Sequence, residues 1–280
     1  MLGQDLAAQL KQVGMECIGT DMGVNITDRV AVADFLDGNS VDFVVNCAAY
    51  TAVDKAESEE DKALAVNAIG PETLALETAA RGIGIIHIST DYVLNGTGPA
   101  PLTEGAPLDP QNAYGRTKAK GEIRVLMINP RHWILRTAWL YGIHGNNFIK
   151  TMLRLMAEKE KLKVVNDQWG SPTWTVDLAQ AIISIVKTND HPGTYHFSDE
   201  GCITWHTFAC EIQKQAIGLG LLTREIPIEP VSSDEYPTPA KRPLWSVMDK
   251  GLIRQTFSLQ VPSWKDSLSA YLALEVATRA

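Results

Sequence analysis

Tyr114 and Lys118 stand four residues apart in the segment Y-G-R-T-K, a spacing that places a phenol and an ammonium on one face of a helix. A tyrosine hydroxyl beside a cation is a candidate proton donor, because the free phenol titrates near 10 and positive charge favours its ionised form. The same spacing also arises by chance on surface helices, so the pair needs company. Ser89, Thr90, Asp91 and Tyr92 follow an apolar run at 83–89, and ligands of open α/β sheets collect outside the carboxyl ends of strands. A hydroxyl there can orient a substrate oxygen, or simply satisfy backbone groups. The segment N-C-A-A-Y-T (46–51) ends another run in small residues, which let a ring or a ribose approach or let helices pack closely. Asp21 follows C-I-G-T (17–20). An acidic side chain at that offset from a first βα turn can bond a ribose 2′-hydroxyl, and it can equally be a turn aspartate before Gly23.

Such groups need a frame to hold them. Val- and Ile-rich runs at 41–49, 83–89, 133–140 and 162–166 predict strands buried on both faces, with 17–20 as a further strand. Helical periodicity covers 2–13, 54–66, 71–81, 113–127 and 148–158. Alternation of the two predicts βαβ units, hence a Rossmann-type doubly wound parallel α/β sheet. After about residue 190 the pattern loosens into a strand at 195–198, a helix at 204–216, a proline-rich stretch at 236–243 and an amphipathic terminal helix, which together read as a smaller lobe. The expected division is a dinucleotide-binding domain over 1–145 and a mainly substrate-binding lobe over 146–280, with some segments returning to the sheet. A doubly wound fold normally opens on a strand and a Gly-rich turn. Here Met1, Leu2 and Gly3 lead straight into a helix, so that strand and loop are expected to be missing from the sequence.

With 280 residues and 45% hydrophobic content the chain can bury a sizeable core. The net charge of -8 argues against a nucleic-acid partner, which would need clustered Lys and Arg. Cys17, Cys47, Cys202 and Cys210 form no C-x-x-C pair, which favours a reducing compartment. No apolar run approaches the roughly 18 residues of a membrane span, and Asp5 stands where a signal peptide would be basic. A cytoplasmic protein with no membrane partner is the expectation. Cys202, His206 and Cys210 at intervals of four, with His196 nearby, would suit zinc on one helical face. The competing reading of cysteine as a small buried hydrophobe is preferred, and no metal site is expected.

Several longer segments carry a resemblance: S-T-D-Y (89–92), Y-G-R-T-K (114–118), N-C-A-A-Y-T-A-V-D-K-A-E (46–57), R-T-A-W-L-Y-G (136–142), G-N-N-F-I-K-T-M-L (145–153), N-D-Q-W-G-S-P-T (166–173) and Y-P-T-P-A-K-R-P (236–243). In this order they resemble the dTDP-4-dehydrorhamnose reductases, extended short-chain dehydrogenase/reductases, over nearly the whole chain. The resemblance implies Tyr114 as proton donor, Lys118 as the lysine that binds nicotinamide ribose and lowers the tyrosine pKa, and Thr90 as the third member of the triad. It implies sugar contacts at Thr90, Asp91, Tyr92 and Trp139. Cofactor contacts are implied at Met1, Leu2, Gly3, Asp21, Asn25, Ile26, Ala48, Ala49 and Tyr50, besides Tyr114 and Lys118. Arg242 is the candidate for the nucleotide diphosphate, because a guanidinium suits phosphate.

The implied reaction is reduction, by NADPH or NADH, of the C4 keto group of dTDP-4-dehydro-6-deoxy-L-mannose to give dTDP-L-rhamnose. Some members use Mg2+, and a homodimer stays open. The sequence departs from the family's usual pattern at Leu244 and Trp245, where an asparagine commonly precedes the serine. A related dehydratase would want a carboxylic acid where Tyr92 stands. A related epimerase would retain its cofactor through turnover. A silent regulatory subunit on the same fold is the remaining rival, against which Thr90, Tyr114 and Lys118 stand together intact.

Overall fold

The computed structural model describes residues 1–96 and 98–279. From its start the chain forms α1 (Leu2–Gln12), α2 (Arg29–Asp37), β1 (Phe43–Asn46), α3 (Val53–Ala56) and α4 (Glu60–Leu64). A π turn (Ala65–Ile69) leads into α5 (Gly70–Ala80), followed by β2 (Gly84–Thr90), α6 (Ala113–Ile128), β3 (His132–Thr137) and β4 (Leu140–Tyr141). The second half contains α7 (Phe148–Glu158), β5 (Leu162–Val165), β6 (Trp169–Gly170), β7 (Thr173–Trp174), α8 (Thr175–Thr188) and β8 (Gly193–His196). It closes with β9 (Ile203–Thr204), α9 (Trp205–Gly218), β10 (Ile228–Val231), α10 (Gly251–Phe257) and α11 (Trp264–Arg279).

The helix starts are legible in side chains that accept the orphan amides of a first turn. Asp28 accepts from Val30 and Ala31, Asn112 from Gly115, Asn147 from Lys150 and Thr204 from Thr207. The central sheet runs β1-β2-β3-β8, all parallel. Because neighbouring side chains of a strand point to opposite faces, Ile85 and Ile134 pack with Val32, Leu74 and Val125 of α2, α5 and α6. Ile86, Trp133 and Leu135 pack on the other face with Leu2, Leu6 and Leu10 of α1 and with α8 and α10. A separate core joins α7, α9 and α11 around Tyr141, Met156, Phe208 and Tyr271.

Several sequence expectations need correction. Residues 17–20 form no strand, and among the described residues no strand pairs with the outer edge of β1. Backbone that finds no ladder partner has nothing to hold it in a sheet. The 162–166 run does form a strand, but it pairs with β10 instead of the central sheet, and Lys163 is exposed. The 133–140 run breaks after Thr137, where Trp139 takes a left-handed φ of 48°. The helix expected over 54–66 is split into α3, α4 and the π turn. Helices α2, α8 and α10 were not expected; α8 is apolar on most sides because it lies against the sheet, which blurs its period.

Helix α6 comes so close to the π turn that a Cβ on Gly121 would drive into the carbonyl oxygen of Asn67. In an ordinary helix Gly→Ala gains up to ~1 kcal/mol. Here Gly121→Ala is expected to cost on the order of 2 kcal/mol through overpacking, read as a lower urea midpoint at unchanged slope; a stabilised variant would refute this account of the α5–α6 contact.

Candidate functional site

The carboxyl end of β2 delivers Thr90, Asp91 and Tyr92, the last two in a 3-10 turn (Asp91–Val93). The Thr90 hydroxyl donates to Asp91 Oδ1 at 2.9 Å and accepts from the Tyr92 amide at 3.2 Å, so one side chain both ends the strand and shapes the turn. Across from it α6 carries Tyr114 and Lys118 on one face, as the four-residue spacing requires. The rings of Tyr92 and Tyr114 meet edge to face, with centroids 5.6 Å apart. A Cβ on Gly115 would strike the Tyr92 carbonyl, so α6 reaches the turn only because that residue is glycine.

Lys118 is 1% exposed, and its Nζ donates to the Ile88 carbonyl at 2.6 Å. Burial pushes its ammonium down to about 8, with Glu122, one turn further along α6, holding it up in part. Tyr114 is half-buried, yet the protein packed around it pushes the phenol up to about 12, the Thr90 hydroxyl drawing it back slightly. Desolvation is the largest influence on this phenol, with the nearby Asp91 adding to it, and the phenol stays protonated at neutral pH.

The acidic segment after β1 supports this centre from below. Glu57 Oε1 accepts from the Ala113 amide at 2.7 Å, and Glu60 pairs with Arg116 at 2.8 Å. Asp54 takes the guanidinium of Arg242 end-on, Oδ1 from Nη1 at 3.1 Å and Oδ2 from Nη2 at 2.9 Å. Asn112 caps α6 with its oxygen and donates its amide to the Lys241 carbonyl at 2.7 Å, tying the proline-rich loop to the same helix end. Sequence reasoning passed over Asn67. This side chain of the π turn is fully buried; it accepts from the Tyr50 amide and donates to the Tyr50 carbonyl and the Thr117 hydroxyl, so one residue joins the end of β1 to α6. Asparagines in apolar helical patterns are the only signal that could have marked it, and such π insertions gather at functional sites.

The remaining candidates are spread more widely. Gly3 faces Cys47, a Cβ on it lying 3.8 Å from the Cys47 Cβ, while Leu2 is buried in the core with Leu6 and Leu10. Met1 supplies the carbonyl that starts α1. Ala48 donates its amide to Asn46 Oδ1 at 3.1 Å, and Ala49 and Tyr50 are half-buried beside it. The Tyr50 hydroxyl is taken by Glu59 at 2.6 Å. Asp21 and Asn25 are exposed in turns outside the sheet, Asn25 capping Thr27, and Ile26 lies against Gly70 of α5. Trp139 stacks on Trp205, centroids 3.6 Å apart, from its left-handed backbone position. Such strain in a bulky residue survives only where surroundings enforce it, and it clusters at ligand sites. Cys202 lies ahead of α9 and does not share its face; His206 and Cys210 do, but the His206 ring also meets the Ile228 carbonyl at 2.9 Å.

Comparison with known proteins identifies the family and the fold. The family described as RmlD substrate binding domain matches residues 1–276. The chain is similar to the spore coat polysaccharide biosynthesis protein SpsK of Bacillus subtilis (strain 168), 41% identical over 272 residues that cover 97% of this chain and 93% of the relative. Its fold is similar to the crystal structure of a dTDP-4-dehydrorhamnose reductase from Clostridium acetobutylicum, with a TM-score of 0.92, 41% identity and 98% and 96% of the two chains covered. It is also similar to the Bacillus anthracis dTDP-4-dehydrorhamnose reductase in complex with NADP, at a TM-score of 0.91, 36% identity and 98% and 95% coverage.

Burial pushes Asp91 up to about 6, offset only in part by the hydroxyls of Thr90 and Ser246. A carboxyl raised on folding binds its proton more tightly in the native state, so its stabilising contribution is whole below the unfolded pKa near 4 and fades as pH rises through 6. Asp91→Asn should therefore gain on the parent by on the order of 2–3 kcal/mol between about pH 4 and pH 7. Urea unfolding at both ends of that window checks it; a difference that is constant with pH would refute it.

Proposed function

The chain belongs to the family of the RmlD substrate binding domain, and from that membership we propose that it is an NAD(P)H-dependent dTDP-4-dehydrorhamnose reductase. It reduces the C4 keto group of dTDP-4-dehydro-6-deoxy-L-mannose to give dTDP-L-rhamnose, a precursor of cell-surface polysaccharide. The observation that carries this reading is the convergence of Thr90, Tyr114 and Lys118 at one end of the central sheet, in a chain similar over nearly its whole length to proteins named for that reduction.

The residues present fit a dinucleotide. Among the described residues the buried Lys118 ammonium has one hydrogen-bond acceptor, the Ile88 carbonyl, and an ammonium has three donors to place. A ribose hydroxyl answers that need. Gly3, Asp21, Asn25, Ile26, Ala48, Ala49 and Tyr50 would line the remainder, with Met1 and Leu2 at the start of α1 behind them. When bound, NADPH or NADH supplies the hydride.

The chain's own work is placement and proton transfer. Asp91, Tyr92 and Trp139 hold the sugar, and Thr90 orients its keto oxygen. Tyr114, kept protonated by burial, gives its hydroxyl proton to that oxygen as the carbonyl carbon accepts hydride. The phenolate left behind lies in the field of the Lys118 ammonium, which compensates the charge where solvent does not. Arg242 is assigned to the diphosphate of the substrate. The same reading puts a dinucleotide-binding domain in 1–145 and most of the substrate lobe in 146–280. It places the protein in the cytoplasm and leaves a homodimer open, which light scattering on the purified protein tests.

Tyr114→Phe should lower substrate-dependent NADPH oxidation, followed at the nicotinamide absorbance, at least ~100-fold while leaving cofactor binding intact. An active variant would refute the acid role. Lys118 must also be cationic, and it loses its charge as pH rises through about 8 whereas Tyr114 holds its proton to about 12. The kcat/KM for cofactor, which reports the free enzyme, should accordingly fall on the alkaline side with an apparent pKa near 8; a profile flat to about pH 10 would separate Lys118 from the chemistry.

A further inference from the structure

Arg242 is held in an unusual way for a group meant to meet an anion. Its end-on fork is closed: Nη1 and Nη2 each donate to one oxygen of Asp54, at 3.1 and 2.9 Å. Nη1 also donates to the Thr238 hydroxyl and to the Ala240 carbonyl, the latter at 3.2 Å, both from the residue's own loop. Asp54 fixes that loop a second time by accepting from the Ala240 amide at 3.2 Å. A planar guanidinium has a second, side-on fork, made of Nε and the other Nη2 hydrogen. Among the described residues no carboxylate or carbonyl closes it. The group also lies near enough to the Tyr92 phenol to feel it electrostatically, and Tyr92 packs on Tyr114. The guanidinium is therefore clamped from behind by a carboxylate, beside the two tyrosines of the proposed active site.

A long arginine side chain free in solution loses much rotamer entropy when it grips a ligand, and a site that fixes it beforehand avoids that loss. We propose that Asp54 is a positioning residue for nucleoside diphosphate recognition, locking Arg242 end-on so that its side-on fork is presented, already oriented, to a phosphate of the substrate. This rests on the assignment of Arg242 to the diphosphate. Asp54 touches no substrate in this scheme; it acts through Arg242, and helix α3 thereby gains a reason to stand beside the proline-rich loop.

The test uses the full chain with dTDP as calorimetric probe and the dTDP-sugar in kinetics, across Asp54→Asn, Asp54→Glu, Arg242→Lys and the double variant D54N/R242K. Asp54→Asn should weaken dTDP binding and raise KM for the sugar nucleotide ~tenfold, with kcat changing less than ~threefold, because orientation of the fork is lost and the proton donor is not. Asp54→Glu, which keeps the charge, should recover part of the loss, and in the Arg242→Lys background Asp54→Asn should add little. Wild-type dTDP affinity in Asp54→Asn, tighter binding there, or losses that multiply in the double variant would each overturn the proposal. If Arg242→Lys itself binds dTDP as the parent does, it is the diphosphate assignment that falls, and the two failures are told apart by that single variant.

Discussion

A lysine ammonium with 1% of its surface exposed is expensive to keep inside a sheet–helix interface, and most of the architecture around α6 can be read as the means of keeping it there. Desolvation disfavours the charge, as the depressed Lys118 shows. Two features oppose it: the Ile88 carbonyl at the end of β2, and the carboxylate of Glu122 one turn along the same helix. Glu122 is itself buried and is gripped by Arg136 of β3 through both of its oxygens. Breaking such a pair by removing one member costs far more than exchanging both. The lysine, the helix that carries it and the strand beneath are thus bound into one electrostatic unit.

That unit fixes how close α6 must come, and closeness dictates the residues around it. Gly115 and Gly121 occupy the two points where α6 meets backbone carbonyls, those of Tyr92 and Asn67. The π turn supplies Asn67, whose side chain pairs with both backbone groups of Tyr50 and so ties the end of β1 to the helix. From the other side the acidic stretch after β1 holds the helix start through Glu57 and Glu60 and the proline-rich loop through Asp54. Asp54, Glu57 and Glu60 each have a specific partner, so these acids can lie against the site of an already acidic chain.

What was legible in the sequence divides along the range of the interactions involved. The Tyr114–Lys118 face, the helical periods over 113–127 and 148–158 and the buried runs of β2 and β3 are local matters of period and side-chain chemistry, and the fold follows from them. The rest is set by what a segment meets across the molecule. Whether 162–166 joins the central sheet or pairs with β10 depends on residues more than sixty positions away. Trp139 looked like part of a continuous strand because a left-handed tryptophan has no sequence signature; Trp205, which stacks on it, is remote in sequence. The phenol of Tyr114 is raised by the protein packed around it, a burial that the spacing of Tyr and Lys does not announce.

The raised phenol bears on the proposed mechanism. A reductase that hands a proton to a nascent alkoxide gains from a donor that is fully protonated beforehand, and what must be stabilised is the phenolate left behind. The geometry divides the task accordingly. In the proposed mechanism Tyr114 starts protonated, and the buried ammonium of Lys118, lowered by desolvation and held up in part by Glu122, would act on the negative charge as it develops. In a solvent-exposed Tyr–Lys pair at the same spacing the phenol would also be protonated at neutral pH, but water would screen the cation and weaken its pull on a phenolate.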